Sequence, residues 1–408
     1  MASIYVIGTF DTKGEELSFV CDRLRDAGRS VALVDVSTRG SMAATVAITP
    51  ATVAAYHPQG AGAVLGLADR GEAISRMSEA LTRFLGARQD VAGVIALGGS
   101  GGTSLVAPAL RALPIGLPKI LISTVASGNV APYVGASDIC MVYSITDIAG
   151  LNRISRAILR NAADAMTGMT ARPRVAETEG RTTVGLTMFG VTTPCVLNLT
   201  HALADRYDTL VFHATGVGGQ SFEKLVDSGL ISAGIDITTT EVCDLLVGGV
   251  FPATEDRFGA FIRTGAPWVG SCGALDMVNF GAMDTVPAEF RQRRLLVHNA
   301  GVTLMRTTSE ECARIGTWIG RRLDLCRGQV RLLIPEGGVS AIAGPGEPFH
   351  DPEADAVLFT ALERSIRRTA ERQVVRIPHH INSPEFAASV IAAFDEVART
   401  SPREGSTA

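Results

Sequence analysis

The sequence predicts an α/β protein in which parallel sheets are flanked by helices. Apolar stretches of strand length alternate with segments of helical spacing along the whole chain. Several of these strands end in glycine or small polar residues, as strand-to-helix turns do. The 408 residues exceed what one ordinary core accommodates, so we expect two domains, with three as the alternative.

The first domain begins with a strand, a helix and a second strand, which is a βαβ opening and predicts a parallel sheet. Residues 41–69 are weakly patterned, and we expect them to form an exposed excursion. The predicted strands are residues 3–8, 31–36, 91–97, 119–124 and 139–143, and the predicted helices are residues 14–27, 70–87, 103–113 and 149–166.

Residues 168–182 lose the apolar periodicity, so we place the domain boundary there. This gives a first domain over 1–175, a second over 182–400 and a tail, 401–408, that we expect to be disordered. The predicted strands of the second domain are 183–189, 209–213, a segment near 235, 267–270, 295–298 and 330–334, and its predicted helices are 194–206, 222–228, 239–246, 309–325, 354–370 and 384–398.

Composition excludes several classes of function. A net charge of −4 without a basic run argues against nucleic acid as a partner. No apolar stretch is long enough to span a membrane, and the first strand follows Met1 without a charged leader, so we expect a cytoplasmic protein. The seven cysteines form no CxxC pair, which favours reduced thiols over disulfides or zinc.

The strongest local signal is the glycine turn Gly98-Gly99-Ser100-Gly101-Gly102, between an apolar strand and a helix that begins near Thr103. Glycines allow close approach to the backbone amides, and the amino terminus of the helix adds a positive dipole end. This arrangement is typical of phosphate binding. The alternative is a tight connection without a ligand.

Two other strand ends, Gly8 to Lys13 and Thr124 to Asn129, should meet this turn, because parallel strands carry their carboxyl ends on one sheet edge. There Lys13 could contact a phosphate and Asp35 a ribose hydroxyl, while Asp11 could hold Mg²⁺. The alternative for Lys13 and Asp11 is an exposed, capped helix start. Neither GxxxxGK[ST] nor GxGxxG occurs, so no standard nucleotide fingerprint is present.

Long motifs across nearly the whole chain resemble the Tm-one-like ATP-binding family, which takes its name from a plant tobamovirus-resistance protein. They are GTFDTKGEEL (8–17), GGSGGT (98–103), STVASGNVAPYVG (123–135), HATGVGG (213–219), GALDMVNFGAMDTVP (273–287), HNAGVTLMRTT (298–308), PEGGVSAI (335–342), DPEAD (351–355) and HHINSPEFA (379–387). The resemblance implies two Rossmann-like domains, ATP with Mg²⁺ in the first, and a homo-oligomer, a dimer or tetramer. The nucleotide-site residues that it implies are Thr9, Asp11, Lys13, Gly99, Ser100, Gly101, Gly102, Thr103, Ser127, Gly128 and Asn129.

In the second domain, chemically active residue types also follow predicted strands. If those strands are parallel, they converge on one rim; they are His213, Glu241, Ser271, Cys272, His298 and Glu336. His213 and His298 are the acid/base candidates, with Glu241 as a third catalytic candidate. The alternatives are structural histidines, a helix cap at Thr238 to Glu241, and a buried, inert Cys272.

The leading hypothesis is an enzyme that uses MgATP for phosphoryl transfer or ligation on a small anionic metabolite. A second is a nucleotide-responsive binding or regulatory protein without chemistry. A third is a hydrolase or lyase that works through His213, Glu241 and His298, with ATP in a structural role.

Overall fold

A computed structural model describes residues 2–39, 48–171 and 181–400. The chain divides into unit 1, Met1–Ala176, and unit 2, Glu177–Ala408. Most of the segment in which we placed the boundary, 168–182, and the tail 401–408 lie outside the described residues.

Unit 1 contains one five-stranded sheet in the order β2-β1-β3-β4-β5, with every neighbouring pair parallel. This order places a topological switch point between β1 and β3, where open α/β sheets bind their ligands. The elements are β1 (Ser3–Gly8), α1 (Phe10–Asp26), β2 (Val31–Asp35), α2 (Pro50–Ala54), α3 (Arg70–Gly86), β3 (Val91–Gly98), α4 (Ser100–Ala112), β4 (Lys119–Ser123), α5 (Ala131–Val134), β5 (Cys140–Tyr143) and α6 (Arg153–Met169).

Two apolar cores cover the two faces of this sheet. One packs α1 and α6 against the strands through residues such as Leu17 and Met166, and the other packs α3 and α4 through residues such as Phe84 and Leu110. The expectation of an exposed excursion fails for 48–69, because α2 buries Val53 in the second core.

Unit 2 contains a six-stranded parallel sheet in the order β14-β13-β9-β8-β6-β7. Its elements are β6 (Thr183–Met188), α7 (Thr193–Leu203), β7 (Asp208–His213), α8 (Val217–Asp227), β8 (Ala233–Thr238), α9 (Glu241–Val247), α10 (Gly259–Thr264), β9 (Trp268–Gly273), β10 (Met277–Phe280), β11 (Leu295–Asn299), β12 (Val302–Arg306), α11 (Ser309–Asp324), β13 (Val330–Pro335), α12 (Pro352–Ser365), β14 (Arg372–Ile377) and α13 (Pro384–Thr400). The two units confirm the predicted pair of Rossmann-like domains with mainly parallel sheets.

A second sheet of unit 2 does not meet the condition of parallel strands on which the predicted rim of candidate residues depended. Strands β10, β12 and β11 form an antiparallel sheet of their own. The predicted strand 295–298 is therefore one arm of a hairpin. His298 lies on this arm, exposed, and is not at the carboxyl edge of the parallel sheet.

Candidate functional site

A cavity of about 640 Å³ lies at the carboxyl ends of the strands of unit 1. It includes residues that follow all five strands, with the amino terminus of α4 among them. Its lining residues are Thr9, Asp11, Thr12, Lys13, Thr38, Arg39, Arg70, Ile74, Gly99, Ser100, Gly101, Gly102, Leu105, Thr124, Tyr143, Ser144, Ile145, Thr146 and Asp147.

The amino terminus of α4 presents free backbone amides to this cavity. Its N-cap is Gly99, which has no side chain to cap the helix, and the first intrahelical bond runs from the Thr103 amide to the Gly99 carbonyl at 2.8 Å. The amides of residues 100–102 precede that bond, so they are the groups that an anion would accept from.

Two positions of this turn are occupied by glycine for different physical reasons. At Gly98 a Cβ would lie 2.9 Å from the backbone of Gly102, so packing requires glycine there. At Gly102 a Cβ would have as its nearest neighbour the Leu97 carbonyl oxygen at 3.8 Å, which is an ordinary contact. Packing therefore does not explain Gly102, whereas a ligand that approaches its amide would.

The start of α1 places Thr9, Asp11 and Lys13 on the cavity lining. Lys13 departs from helical geometry (φ −137°, ψ 27°), and its ammonium group donates to the Ile148 carbonyl oxygen beyond β5. Lys13 thus connects the segment after β1 to the segment after β5. Asp11 is exposed.

Asp35 occupies a different place from the one expected for a ribose ligand. It is fully buried, does not line the cavity, and its Oδ1 accepts from the Phe10 amide at 3.0 Å and from the Ser37 amide at 2.9 Å. The Asp11 amide donates to Ser37 Oγ at 3.1 Å. Asp35 and Ser37 therefore satisfy the first amides of α1, so α4 is the helix whose amino terminus stays available.

Other expected nucleotide residues also lie off the lining. Thr103 is fully buried and its Oγ1 lies 2.6 Å from Ser123 Oγ, so it joins β4 to α4 behind the cavity. Gly98, Ser127, Gly128 and Asn129 are absent from the lining, which near β4 includes Thr124. Asn129 Oδ1 instead accepts from the Ala131 amide at 3.1 Å.

Sequence reasoning missed the lining residues that follow β2 or lie at the end of β5, those on α3, and one residue of α4. They are Thr38, Arg39, Arg70, Ile74, Leu105 and Tyr143 to Asp147, whereas Thr12 and Thr124 belong to the two predicted strand ends. One signal was available for Arg70, which occupies the first turn of α3 directly after the N-cap Asp69. A cation is disfavoured there by the helix dipole, so a functional reason for it could have been considered.

Glu241 of unit 2 belongs to a buried ionic network. Its Oε1 accepts from Arg257 Nε at 2.5 Å and its Oε2 from the Gly216 amide at 2.7 Å. Arg257 also contacts Asp236 and Glu223, both at 2.9 Å. Burial raises the pKa of Glu241 above its ordinary value, although Arg257 opposes the shift. Both carboxylate oxygens are engaged, and the side chain is fully buried.

Of the predicted rim residues of unit 2, all but His298 end or follow strands β7, β8, β9 and β13 of the parallel sheet, and they differ in exposure and in their partners. His213 is exposed, stacks on Phe189 with ring centroids 5.2 Å apart, and has its pKa lowered by partial burial. His298 lies on the antiparallel hairpin. Cys272 is buried, which raises the pKa of its thiol well above the ordinary value, and Ser271 Oγ donates to the Leu333 carbonyl. Glu336 is paired with Arg376 at 3.2 Å.

Family comparison covers both units. The profile of the N-terminal domain of the uncharacterised protein family UPF0261 matches residues 2–174, and that of its C-terminal domain matches residues 181–398. The chain belongs to the UPF0261 family. A UPF0261 protein of Mesorhizobium japonicum is 58% identical over 98% of this chain and 100% of its own length.

The family also includes the plant protein that the sequence motifs suggested. The ToMV resistance protein Tm-1 of Solanum lycopersicum is 44% identical over 97% of this chain, which matches 55% of the tomato protein. The resemblance to the Tm-one-like family is thereby confirmed. Among solved structures, a UDP-N-acetylglucosamine 2-epimerase from Rickettsia bellii aligns with a TM-score of 0.24 and 8% identity over 66% of this chain and 78% of its own. That score is too low to indicate a common fold.

In the part of the chain that the structure describes, no helix is both long and apolar enough to cross a membrane.

Proposed function

We propose that unit 1 binds MgATP in the cavity at its strand ends, and that the protein is an ATP-dependent enzyme for phosphoryl transfer or ligation of a small anionic metabolite. The observation that carries this proposal is the open amino terminus of α4, whose free amides face a cavity that also contains Lys13, Arg39 and Arg70. Positive charge and free amides together fit a polyphosphate.

The size and position of the cavity support a nucleotide-sized ligand. Its volume, about 640 Å³, falls within the range of small-molecule sites, roughly 300–1,000 Å³. It lies at the switch point between β1 and β3, where other sheets of this strand order hold their ligands.

The donor set of the cavity fits Mg²⁺ bound together with phosphate. Asp11 supplies a carboxylate, and Mg²⁺ in nucleotide sites takes one or two carboxylates, phosphate oxygens and water. In the described residues, no group of three or more His, Cys, Asp or Glu side chains could hold an ion by itself. The metal would therefore depend on the nucleotide, and when bound it would neutralise charge that develops on the phosphates.

A calorimetric titration of the full-length protein with ATP, with and without Mg²⁺, tests the binding. We expect a dissociation constant in the micromolar range, about −8 kcal/mol, that depends on Mg²⁺. The Lys13→Ala variant should weaken binding by about tenfold or more, because it removes a charge-assisted contact. Arg160→Ala, an exposed arginine of α6 outside the cavity, is the control and should bind as the wild type does.

Absence of ATP binding to the wild type would overturn the proposal. Turnover separates its enzymatic part from the regulatory alternative: we expect ATP hydrolysis or transfer that accelerates with one of a panel of small carboxylates and phosphates. Binding that is never accompanied by turnover would instead support a nucleotide-responsive regulator. The hydrolase alternative loses support because Glu241 is fully engaged and His298 lies on a different sheet.

The homo-oligomer that the family resemblance implies belongs to the same proposal, and light scattering of the purified protein would give its mass.

A further inference from the structure

The cavity of unit 1 has two chemically different ends. Its lining beyond β5 includes Tyr143 and Ile145, residues that are 39% and 58% exposed. Beyond β2, at the opposite edge of the sheet, it includes Arg39, and near α3 it includes Arg70. The end beyond β5 therefore combines exposed aromatic and aliphatic side chains with the polar side chains of Ser144, Thr146 and Asp147, and the side near β2 and α3 carries two arginines.

Arg70 lies directly beside the amino terminus of α4. A Cβ built on Gly101 would lie 3.4 Å from the Arg70 guanidinium. Arg70 is exposed, and within the described residues no hydrogen bond or ion pair involves it. A guanidinium beside the positive end of a helix raises the local positive potential, which an anion would relieve.

Ile145 holds a backbone conformation that L-residues with branched side chains rarely adopt. Its φ is +62°, and the Thr146 amide donates to the Ser144 carbonyl at 2.7 Å, which closes a γ-turn around Ile145. Ser144 Oγ donates across the same turn to the Thr146 carbonyl at 2.7 Å. This type of γ-turn is rare and strained.

Packing does not explain this strain. Two other non-glycine residues of the described chain have positive φ, Phe258 and Ala274, and both are fully buried. Ile145 instead is 58% exposed and lines the cavity. Next to it, Thr146 Oγ1 is buried and has no hydrogen-bond partner in the described residues. Strained residues that packing does not hold tend to mark ligand contacts.

We propose that the nucleobase lies against Tyr143 and Ile145, and that the terminal phosphates lie between the amino terminus of α4 and Arg70. This inference rests on the proposed function and adds the direction in which the nucleotide lies. A base offers a flat face to an aromatic or aliphatic side chain and polar edges to a hydroxyl such as that of Thr146.

Titrations of two variants with ATP, AMP and inorganic tripolyphosphate test the direction. Ile145→Ala should weaken ATP and AMP by the same factor, about tenfold, and leave tripolyphosphate unchanged, because only the base contact is lost. Arg70→Ala should weaken ATP and tripolyphosphate by about tenfold and AMP much less. The matched controls Ile154→Ala and Arg160→Ala, on exposed positions of α6, should bind all three ligands as the wild type does.

The Ile145→Gly variant distinguishes the loss of a ligand contact from a folding defect. It removes the same side chain but accepts a positive φ, so it should raise the melting temperature while it weakens ATP as Ile145→Ala does. Suppose that the wild type binds ATP but Ile145→Ala has no effect, or weakens ATP and tripolyphosphate equally. Either result would overturn the base assignment and leave the proposed function intact. An Arg70→Ala effect equal for ATP and AMP would overturn the phosphate assignment. If the wild type binds no ATP, the proposed function fails first.

Discussion

At the scale of single residues, Asp276 is a buried carboxyl group that is only half satisfied. Its Oδ2 accepts from Ser340 Oγ at 2.8 Å, whereas its Oδ1 has no hydrogen-bond partner among the described residues. Burial raises the pKa of Asp276 to about 6, although Arg306 opposes the shift. The folded protein therefore holds this proton at pH values where the unfolded chain has released it.

This raised pKa predicts a pH dependence of the stability of unit 2. The contribution of Asp276 is fully present below the ordinary aspartate pKa, near 4, and is lost as pH rises through about 6. The loss amounts to about 3 kcal/mol at most, since each pKa unit corresponds to about 1.4 kcal/mol. Asp276→Asn cannot ionise, so relative to the variant the wild type should lose stability between about pH 4.5 and about pH 7.5.

Urea unfolding followed by tryptophan fluorescence measures this effect, because both tryptophans, Trp268 and Trp318, belong to unit 2. Asp205→Asn, an exposed aspartate of the same unit, is the control. The difference in unfolding free energy between wild type and Asp276→Asn is measured at about pH 4.5 and at about pH 7.5. If this difference is the same at the two pH values, Asp276 is not the titrating group.

At the scale of elements, a substitution in α4 can have opposite effects on stability and on ligand affinity. Gly102 is the third residue of α4, where alanine fits without a close contact. Gly102→Ala should therefore stabilise the protein by about 0.5–1 kcal/mol through helix propensity. It should also weaken ATP by about tenfold, because the new methyl group obstructs the amides, and tenfold corresponds to about 1.4 kcal/mol.

Gly168→Ala is the matched control for this prediction. Gly168 is an exposed glycine of α6 that does not line the cavity, and a Cβ added to it would meet no heavy atom within 4 Å. Denaturation followed by circular dichroism should show a similar gain for both variants, and calorimetry should show a loss of ATP affinity for Gly102→Ala alone. Equal ATP affinities in the two variants would mean that no ligand approaches the amide of Gly102.

The same elements show how far the sequence alone could lead. The strands of unit 1 and the turn at Gly98 to Gly102 were predictable because apolar runs and glycines are local signals. The antiparallel hairpin of β11 and β12 was not predictable, because an apolar run such as Leu295 to Val297 does not indicate which strand it pairs with. The alternative of a helix cap by Thr238 or Thr239 is also not realised, because the N-cap of α9 is Thr240, and Thr240 makes no side-chain capping bond.

The candidate site was predictable only in part for the same reason. The residues after β1 and β3 carry their own signal, whereas Ile145 acquires its importance from a backbone angle that no sequence pattern encodes. Asp35 ends a strand, as a ribose ligand would, but its hydrogen bonds to the start of α1 become visible only when the two strand ends are side by side. Likewise, the partner of Glu241 is Arg257, which tertiary packing brings to it.

At the scale of the whole molecule, the two units have separate cores. The unit that binds a ligand can therefore be identified by finding where local unfolding, measured by hydrogen exchange, becomes less frequent. A ligand that binds only the folded state stabilises it by about 2.7 kcal/mol at one hundred times its dissociation constant. If MgATP binds at the carboxyl ends of sheet β2-β1-β3-β4-β5, this gain should slow hydrogen exchange most strongly in unit 1.

Within unit 1, the slowing should be greatest for the amides of residues 100–102, for the residues that follow β1, and for the turn at Ile145. Hydrogen exchange of the full-length protein, read by mass spectrometry of its peptides with and without MgATP, measures all of these together, and peptides of α6 provide the internal reference. Slowing confined to unit 2, around Glu241 and His213, would place the nucleotide there and contradict the site in unit 1. Slowing at residues 100–102 without any at Ile145 would keep the phosphate site and remove the base from the end of β5.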